Sequence, residues 1–250
     1  MTRPRGAGAT AARDRRPDAF HGRRHGRRLR AGQKALLTEL LPRLRVALPA
    51  EGRALDPAAL FAGSAAGAGK PRDIWLEIGF GGGEHLAWQA ARRPDVGFLG
   101  AEYFVNGIAS LLRHLRDAGL DNARIYEGDA RALLARLPAE SLGRAFILFP
   151  DPWPKARHHK RRIVRRDTLD ALARALRDGV ELRLATDDMD HARWMLERLL
   201  RHPDFEWLAE RAADWRRRPA DWPETRYEAK AVAAGRQPLY LRFRRRPRAG

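Results

Sequence analysis

The chain has no cysteine. That excludes a disulfide scaffold, a thiolate zinc site and a cysteine nucleophile. It also has no apolar run near the ~18 residues that a membrane helix needs. No apolar signal-peptide core follows its first residues, so the expected location is the cytoplasm. Acidic residues are scarce beside basic ones: 31 Asp and Glu stand against 49 Lys and Arg in 250 residues, a formal net charge of +18. So basic a chain points to a polyanionic partner, with nucleic acid and an anionic membrane surface as the main classes. Hydrophobic residues make up 44%, enough at this length to bury a core.

Residues 1–31 read as a flexible basic arm. Ten arginines in the first thirty residues meet only Asp14 and Asp18. An organelle transit peptide is the competing reading, but such segments are rich in serine and poor in acids. Residues 32–250 read as one domain. Gln33 to Leu41 carries apolar residues at helical spacing, which Pro42 ends or kinks. Residues 62–71 form a small-residue linker.

From residue 74 a strand–loop–helix rhythm begins. Strands are expected at 74–79, 96–102, 123–129, 144–149, 180–185 and 239–243. Helices are expected at 84–92, 108–118, 130–137, 167–177 and 190–201. Alternation of this kind gives an α/β, doubly wound, mostly parallel sheet whose ligand sits off the carboxyl ends of the strands.

Acids stand at those ends. The first strand runs through Glu77 into a loop with Gly79, Gly81, Gly82 and Gly83, where glycine permits a tight turn and close approach of a ligand to the backbone. The second strand ends at Glu102, placed to accept hydrogen bonds from a ribose diol. The third ends at Asp129, near where an adenine edge would lie, and the fourth is followed by Asp151. A dinucleotide pyrophosphate asks for backbone amides and positive charge. An acid-lined rim suits instead a cationic, phosphate-free nucleoside such as S-adenosylmethionine.

Strand four leads into Phe149-Pro150-Asp151-Pro152-Trp153-Pro154-Lys155, then Ala156-Arg157-His158-His159-Lys160-Arg161-Arg162. The prolines fix a carboxylate and an indole at low entropic cost, and the cationic run suits phosphates. Adjacent histidines rarely ligate one ion, and no acidic cluster accompanies them, so no metal is expected.

This stretch resembles the bacterial tRNA (guanine-N7)-methyltransferases, whose pattern is F-P-D-P-W-P-K-x-R-H-x-K-R-R. The segment from Gly26 to Gln33, the glycine loop, Thr186-Asp187 and Thr225-Arg226-Tyr227-Glu228 are similar to further motifs of that family. Asp188 departs from it, standing where an aromatic residue often follows. The resemblance implies a Rossmann-like, seven-stranded sheet of the class I methyltransferase type, with S-adenosylmethionine as methyl donor and guanine 46 of the tRNA variable loop as target. It implies donor contacts at Glu77, Gly79, Gly81, Glu102, Asp129 and Asp151, with Asp151 as the catalytic residue. It further implies substrate contacts at Lys155, Asp187, Thr225, Arg226, Tyr227 and Glu228, and an RNA-facing run from Arg157 through His158, His159, Lys160 and Arg161 to Arg162. No membrane and no obligate protein partner are implied. Two other readings remain at this stage: an amino-methyltransferase of DNA or RNA, which would use an acid-Pro-Pro-aromatic loop, and a non-enzymatic RNA-binding protein.

Overall fold

The computed structural model describes residues 22–63 and 70–248. Most of the expected basic arm (1–21) and most of the expected linker (64–69) lie outside the described residues. Seven strands form one sheet in the order β3-β2-β1-β4-β5-β7-β6: β1 (Asp73–Ile78), β2 (Val96–Glu102), β3 (Ala123–Glu127), β4 (Leu142–Leu148), β5 (Leu176–Thr186), β6 (Phe205–Trp207) and β7 (Leu239–Arg245). β1 to β5 run parallel, and β7 lies antiparallel to both β5 and β6. β6 is three residues long, too short for any period to register.

Consecutive strand residues enter opposite layers. Leu76, Leu99, Ile147 and Leu184 join one core, while their neighbours Trp75, Phe98, Phe146 and Ala185 join the other. A sheet covered on both faces needs apolar residues at every position, which explains the near-continuous runs rather than alternation. The first core takes α5 (Ala130–Leu134), α6 (Arg166–Ala175) and α7 (Met189–Leu200). The second takes α1 (Ala31–Glu39), α2 (Leu41–Leu44), α3 (Glu84–Arg92) and α4 (Val105–Asp117). On α4, Ile108, Leu111, Leu112 and Leu115 are all fully buried, the i, i+3, i+4, i+7 stripe of a core-facing helix. Pro42 falls in the first turn of α2, where its missing N–H costs nothing, so the chain bends there and restarts. The remaining helices are α8 (Ala213–Arg216) and α9 (Arg226–Ala233).

Most boundaries shift by one to three residues from the sequence reading, and two differ more. β5 begins at Leu176 rather than 180, because Leu176 pairs with Leu142 before a register shift, with Gly179 in the left-handed region at φ 78°. Residues 22–30, assigned by sequence to the flexible arm, are docked. Val105 N donates to the Arg24 carbonyl at 2.9 Å, Gly26 N donates to Asn106 Oδ1 at 2.8 Å, and Asn106 Nδ2 donates to the Arg27 carbonyl at 2.7 Å. Gly26 lies so close to Phe104 that a Cβ there would sit 2.8 Å from its ring. Among the described residues, no helix is long and apolar enough to cross a membrane.

Candidate active site

Because β1 to β4 are parallel, their carboxyl ends share one edge of the sheet. A cavity of 1110 Å³ opens there. Glu77, Gly79, Gly81, Glu102, Asp129 and Asp151 all line it. The glycine loop lies directly beneath α4. Gly81 takes φ 54°, which favours glycine there, and a Cβ on Gly107 of α4 would sit 2.1 Å from the Gly81 carbonyl oxygen, so the close approach requires glycine at 107.

Three of these acids are held by donors of their own. Glu102 Oε2 accepts from Gly81 N at 2.9 Å, and Oε1 accepts from Tyr103 N at 2.7 Å and Phe104 N at 2.9 Å. Burial pushes the Glu102 carboxyl up, these backbone donors pull it back, and the charge of Asp151 adds to the rise. Glu77 is only 5% exposed, and its Oε2 lies 2.7 Å from His85 Nδ1. His85 Nε2 lies 3.2 Å from Gln89 Nε2, which also donates to the Asp221 carbonyl at 2.8 Å. An amide NH₂ facing Nε2 makes that nitrogen the acceptor and leaves the proton on Nδ1, directed at Glu77. Asp129 caps α5, accepting from Arg131 N at 3.0 Å, and pairs with the Arg131 guanidinium at 2.6 Å. Part of its hydrogen-bonding capacity is therefore taken up inside the protein.

Asp151 stands at the open rim, yet the surrounding walls desolvate its carboxyl enough to raise it, and the Arg23 guanidinium opposes that rise. Gly22 and Arg23 of the docked segment line the same cavity. The loop bearing Asp151 is strained at both ends: Phe149 takes φ 50° and Trp153 φ 46°. Each such residue costs about 1–3 kcal/mol and persists where its surroundings over-determine it.

The cationic run after this loop is a 3-10 turn, Ala156–Arg161. Three residues per turn put i and i+3 on one face. Arg157 and Lys160 are exposed. His158 and Arg161 both contact the Trp153 ring, the latter with its guanidinium 4.9 Å from the ring centre. His159 and Arg162 both contact Trp194 of α7. Arg162 is 1% exposed and does not reach solvent, contrary to its expected RNA-facing role; the turn rolls its face inward.

Substrate-side residues divide in the same way. Thr225 caps α9 by accepting from Glu228 N, and it lines the cavity together with Tyr227, which is 46% exposed. Glu228, expected to contact the substrate, is 6% exposed; it accepts from the Tyr240 hydroxyl and lies 3.4 Å from Arg218. Arg226 sits 3.8 Å from Glu84. Asp187 accepts from Arg236 Nε at 2.6 Å and lines a separate cavity of 520 Å³. Lys155 is exposed outside both cavities. Asp188, the departure from the family pattern, caps α7 by accepting from His191 N at 2.8 Å. Sequence reasoning passed over His85, Gln89, Arg23, Asn106, Arg236 and Tyr240. Most of their partners lie elsewhere in the chain, up to 132 residues away, where no local spacing announces them; His85 and Gln89 do share one face of α3, four residues apart, but the pairing with Glu77 depends on how the glycine loop turns. Among the described residues, no group of three or more His, Asp or Glu is placed to hold a metal ion.

A family model described as "Putative methyltransferase" matches residues 71–241. The chain is 52% identical over 233 residues to a protein of Rhodospirillum rubrum named tRNA (guanine-N(7)-)-methyltransferase, covering 92% of this chain and 89% of that one. A protein of the same name from Paramagnetospirillum magneticum is 50% identical over 230 residues, covering 92% and 93%. Among solved structures, an rRNA methylase from Streptococcus thermophilus aligns with 70% of this chain and 87% of its own, at 13% identity and a TM-score of 0.49.

Proposed function

The chain belongs to the tRNA (guanine-N7)-methyltransferase family, and on that premise we propose how its residues divide the reaction. The enzyme transfers a methyl group from S-adenosylmethionine to N7 of guanine in tRNA. The target position assigned to it is guanine 46 of the variable loop, and its place of work is the cytoplasm, where tRNA is available.

The observation that carries the site assignment is the convergence of Glu77, Glu102, Asp129 and Asp151 on one cavity. The donor set fits S-adenosylmethionine: carboxylates for a ribose diol and for cationic centres, and a glycine loop open to backbone contact. When bound, S-adenosylmethionine supplies an electrophilic methyl carbon carried on a sulfonium. Glu102, prearranged by three backbone donors, takes the ribose. Glu77, held by His85, and Asp129, at the cap of α5, complete the donor contacts, with the backbone of Gly79 and Gly81.

Guanine N7 has a lone pair and no proton, so its attack needs no general base. As the N7–carbon bond forms, the carbon–sulfur bond would break and the sulfur would leave as a neutral thioether, so the positive charge passes to the purine. Asp151, fixed by flanking prolines at the cavity rim, orients the base and stabilises that charge. Tyr227 and Thr225 line the same wall and meet the guanine, while Lys155, Asp187 and Arg226 act on the surrounding nucleotide. Glu228 acts from behind, holding the 225–228 turn through Tyr240 and Arg218. Arg157 and Lys160, with the docked arm, grip tRNA phosphates.

Labelled methyl transfer to bulk tRNA, followed by nucleoside analysis, tests the reading. 7-Methylguanosine is expected from the unaltered chain. An N-methylated amino nucleoside would move the enzyme to the amino-methyltransferase class. Asp151→Ala is expected to abolish turnover while leaving donor-free folding intact, and a near-normal rate would remove Asp151 from the mechanism.

A further inference from the structure

The prolines fix the local backbone around Asp151 but not where the loop as a whole is placed. Pro150, Pro152 and Pro154 offer no N–H, so the loop cannot zip into a ladder, and its carbonyls need donors from elsewhere. Pro152, the residue next to Asp151, finds one. Arg162 Nε donates to the Pro152 carbonyl at 2.7 Å, and Arg162 Nη2 donates to Asp190 Oδ2 at 2.5 Å. Asp190 lies in the first turn of α7, three residues after Asp187. The guanidinium is buried against the Trp194 ring, 4.8 Å from its centre, and Trp194 is itself fixed by its Nε1 bond to the Val164 carbonyl at 2.7 Å.

We propose that Arg162 is a positioning residue for methyl transfer, a clamp that sets the Asp151 loop against the turn carrying Asp187. The inference rests on the roles given above to Asp151 and Asp187. A planar guanidinium fixes the angle between its two acceptors, which a lysine ammonium does not. Its contact with the Trp194 ring, 4.8 Å from the ring centre, restricts it further. Burial and the neighbouring Arg162 charge push the pKa of His191, fully buried on the same turn of α7, down to about 4. His191 therefore stays neutral near pH 7, and Asp190 remains the counter-ion. The three basic residues Arg157, Lys160 and Arg162 thus do different work: the exposed Arg157 and Lys160 meet RNA, whereas Arg162 aligns the reaction centre from within.

The test separates alignment from grip. Arg162→Met and Arg162→Lys are compared with Arg157→Ala and Lys160→Ala in the full chain. Readouts are kcat at saturating tRNA and S-adenosylmethionine, donor affinity by calorimetry, and tRNA affinity across a salt series. For Arg162→Met, kcat is expected to fall about 100-fold, the scale of a misplacement near 1 Å, with donor affinity, tRNA affinity and salt slope unchanged. Arg162→Lys recovers only part of that loss. Arg157→Ala and Lys160→Ala weaken tRNA binding and make the salt slope shallower by about 1 each. A shallower slope in Arg162→Met with kcat retained would make Arg162 a phosphate contact and overturn the proposal. So would an unchanged kcat with an unchanged slope. If Arg162→Met does not fold, Asp190→Asn serves instead, since Asp190 is 63% exposed and its loss leaves the core filled. A fall in kcat of about 5- to 20-fold without loss of tRNA affinity then supports the clamp, and a wild-type kcat overturns it. Production of 7-methylguanosine by the unaltered chain is scored separately, so failure of the function and failure of the clamp are distinguishable.

Discussion

His85 Nδ1 lies 2.7 Å from Glu77 Oε2, and both side chains are buried at the root of the cofactor loop. The contact joins the end of β1 to the first turn of α3 across the glycines, so the acid beneath the proposed donor site is held by the helix that the loop introduces. His85→Ala leaves a buried carboxylate without its donor. That costs about 3 kcal/mol, which for a chain of this size lowers the melting temperature by about 6–12 °C. Donor affinity falls with it. A thermal melt and a calorimetric titration with S-adenosylmethionine check both, and an unchanged melt would mean that the contact contributes nothing to the fold.

Glu102 and Asp151 are expected to give the proposed donor site a pH dependence. Both carboxyls are raised above their ordinary values of 4.5 and 3.8, chiefly by burial. In the donor-free protein the folded state therefore holds protons that the unfolded chain has released. Stability contributed by these groups is present below the ordinary values and is lost as pH rises through the raised ones. A cationic donor favours the ionised carboxylates. Its binding is expected to release protons and to tighten as pH rises across that same window. Titrations in two buffers of different ionisation enthalpy measure the release directly; equal heats in both buffers would contradict it.

Asn106 fastens residues 22–30 to α4 with two side-chain bonds, Gly26 N to Oδ1 and Nδ2 to the Arg27 carbonyl. Asn106→Ala is expected to free this basic segment at a cost of about 2 kcal/mol. Trypsin then cuts faster after Arg24, Arg27 and Arg28, and tRNA affinity drops, while the melting of the sheet domain is little changed. Unaltered cleavage kinetics would show that other contacts suffice to dock the segment.

Tyr240 donates its hydroxyl to the buried Glu228. Tyr240→Phe removes that donor and leaves Arg218, at 3.4 Å, as the remaining partner. A loss of about 1–3 kcal/mol in stability is expected, together with weaker use of tRNA, because the turn carrying Thr225 and Tyr227 loosens. Denaturant unfolding and KM for tRNA provide the measurements. A neutral Tyr240→Phe would return Glu228 to direct contact with substrate as the better reading.

The letters of the chain were sufficient for the alternation of strands and helices, for the acids Glu77, Glu102 and Asp129 at the ends of parallel strands, and for the proline-fixed Asp151. All of these are local: a period of 2 or 3.6, a glycine after a strand, a contiguous motif. What sequence spacing could not carry is direction. Arg157, Lys160 and Arg162 are alike as a charge run, yet the 3-10 turn exposes the first two and buries the third against Trp194. Glu228 turned inward because Tyr240, on β7, arrives behind it, and Asp187 met Arg236 because β7 returns antiparallel beside β5. Residues 22–30 were bound because Asn106 offered both a donor and an acceptor to a passing backbone. A charged side chain gains from pairing wherever packing brings a partner, and only the tertiary structure decides which partner that is.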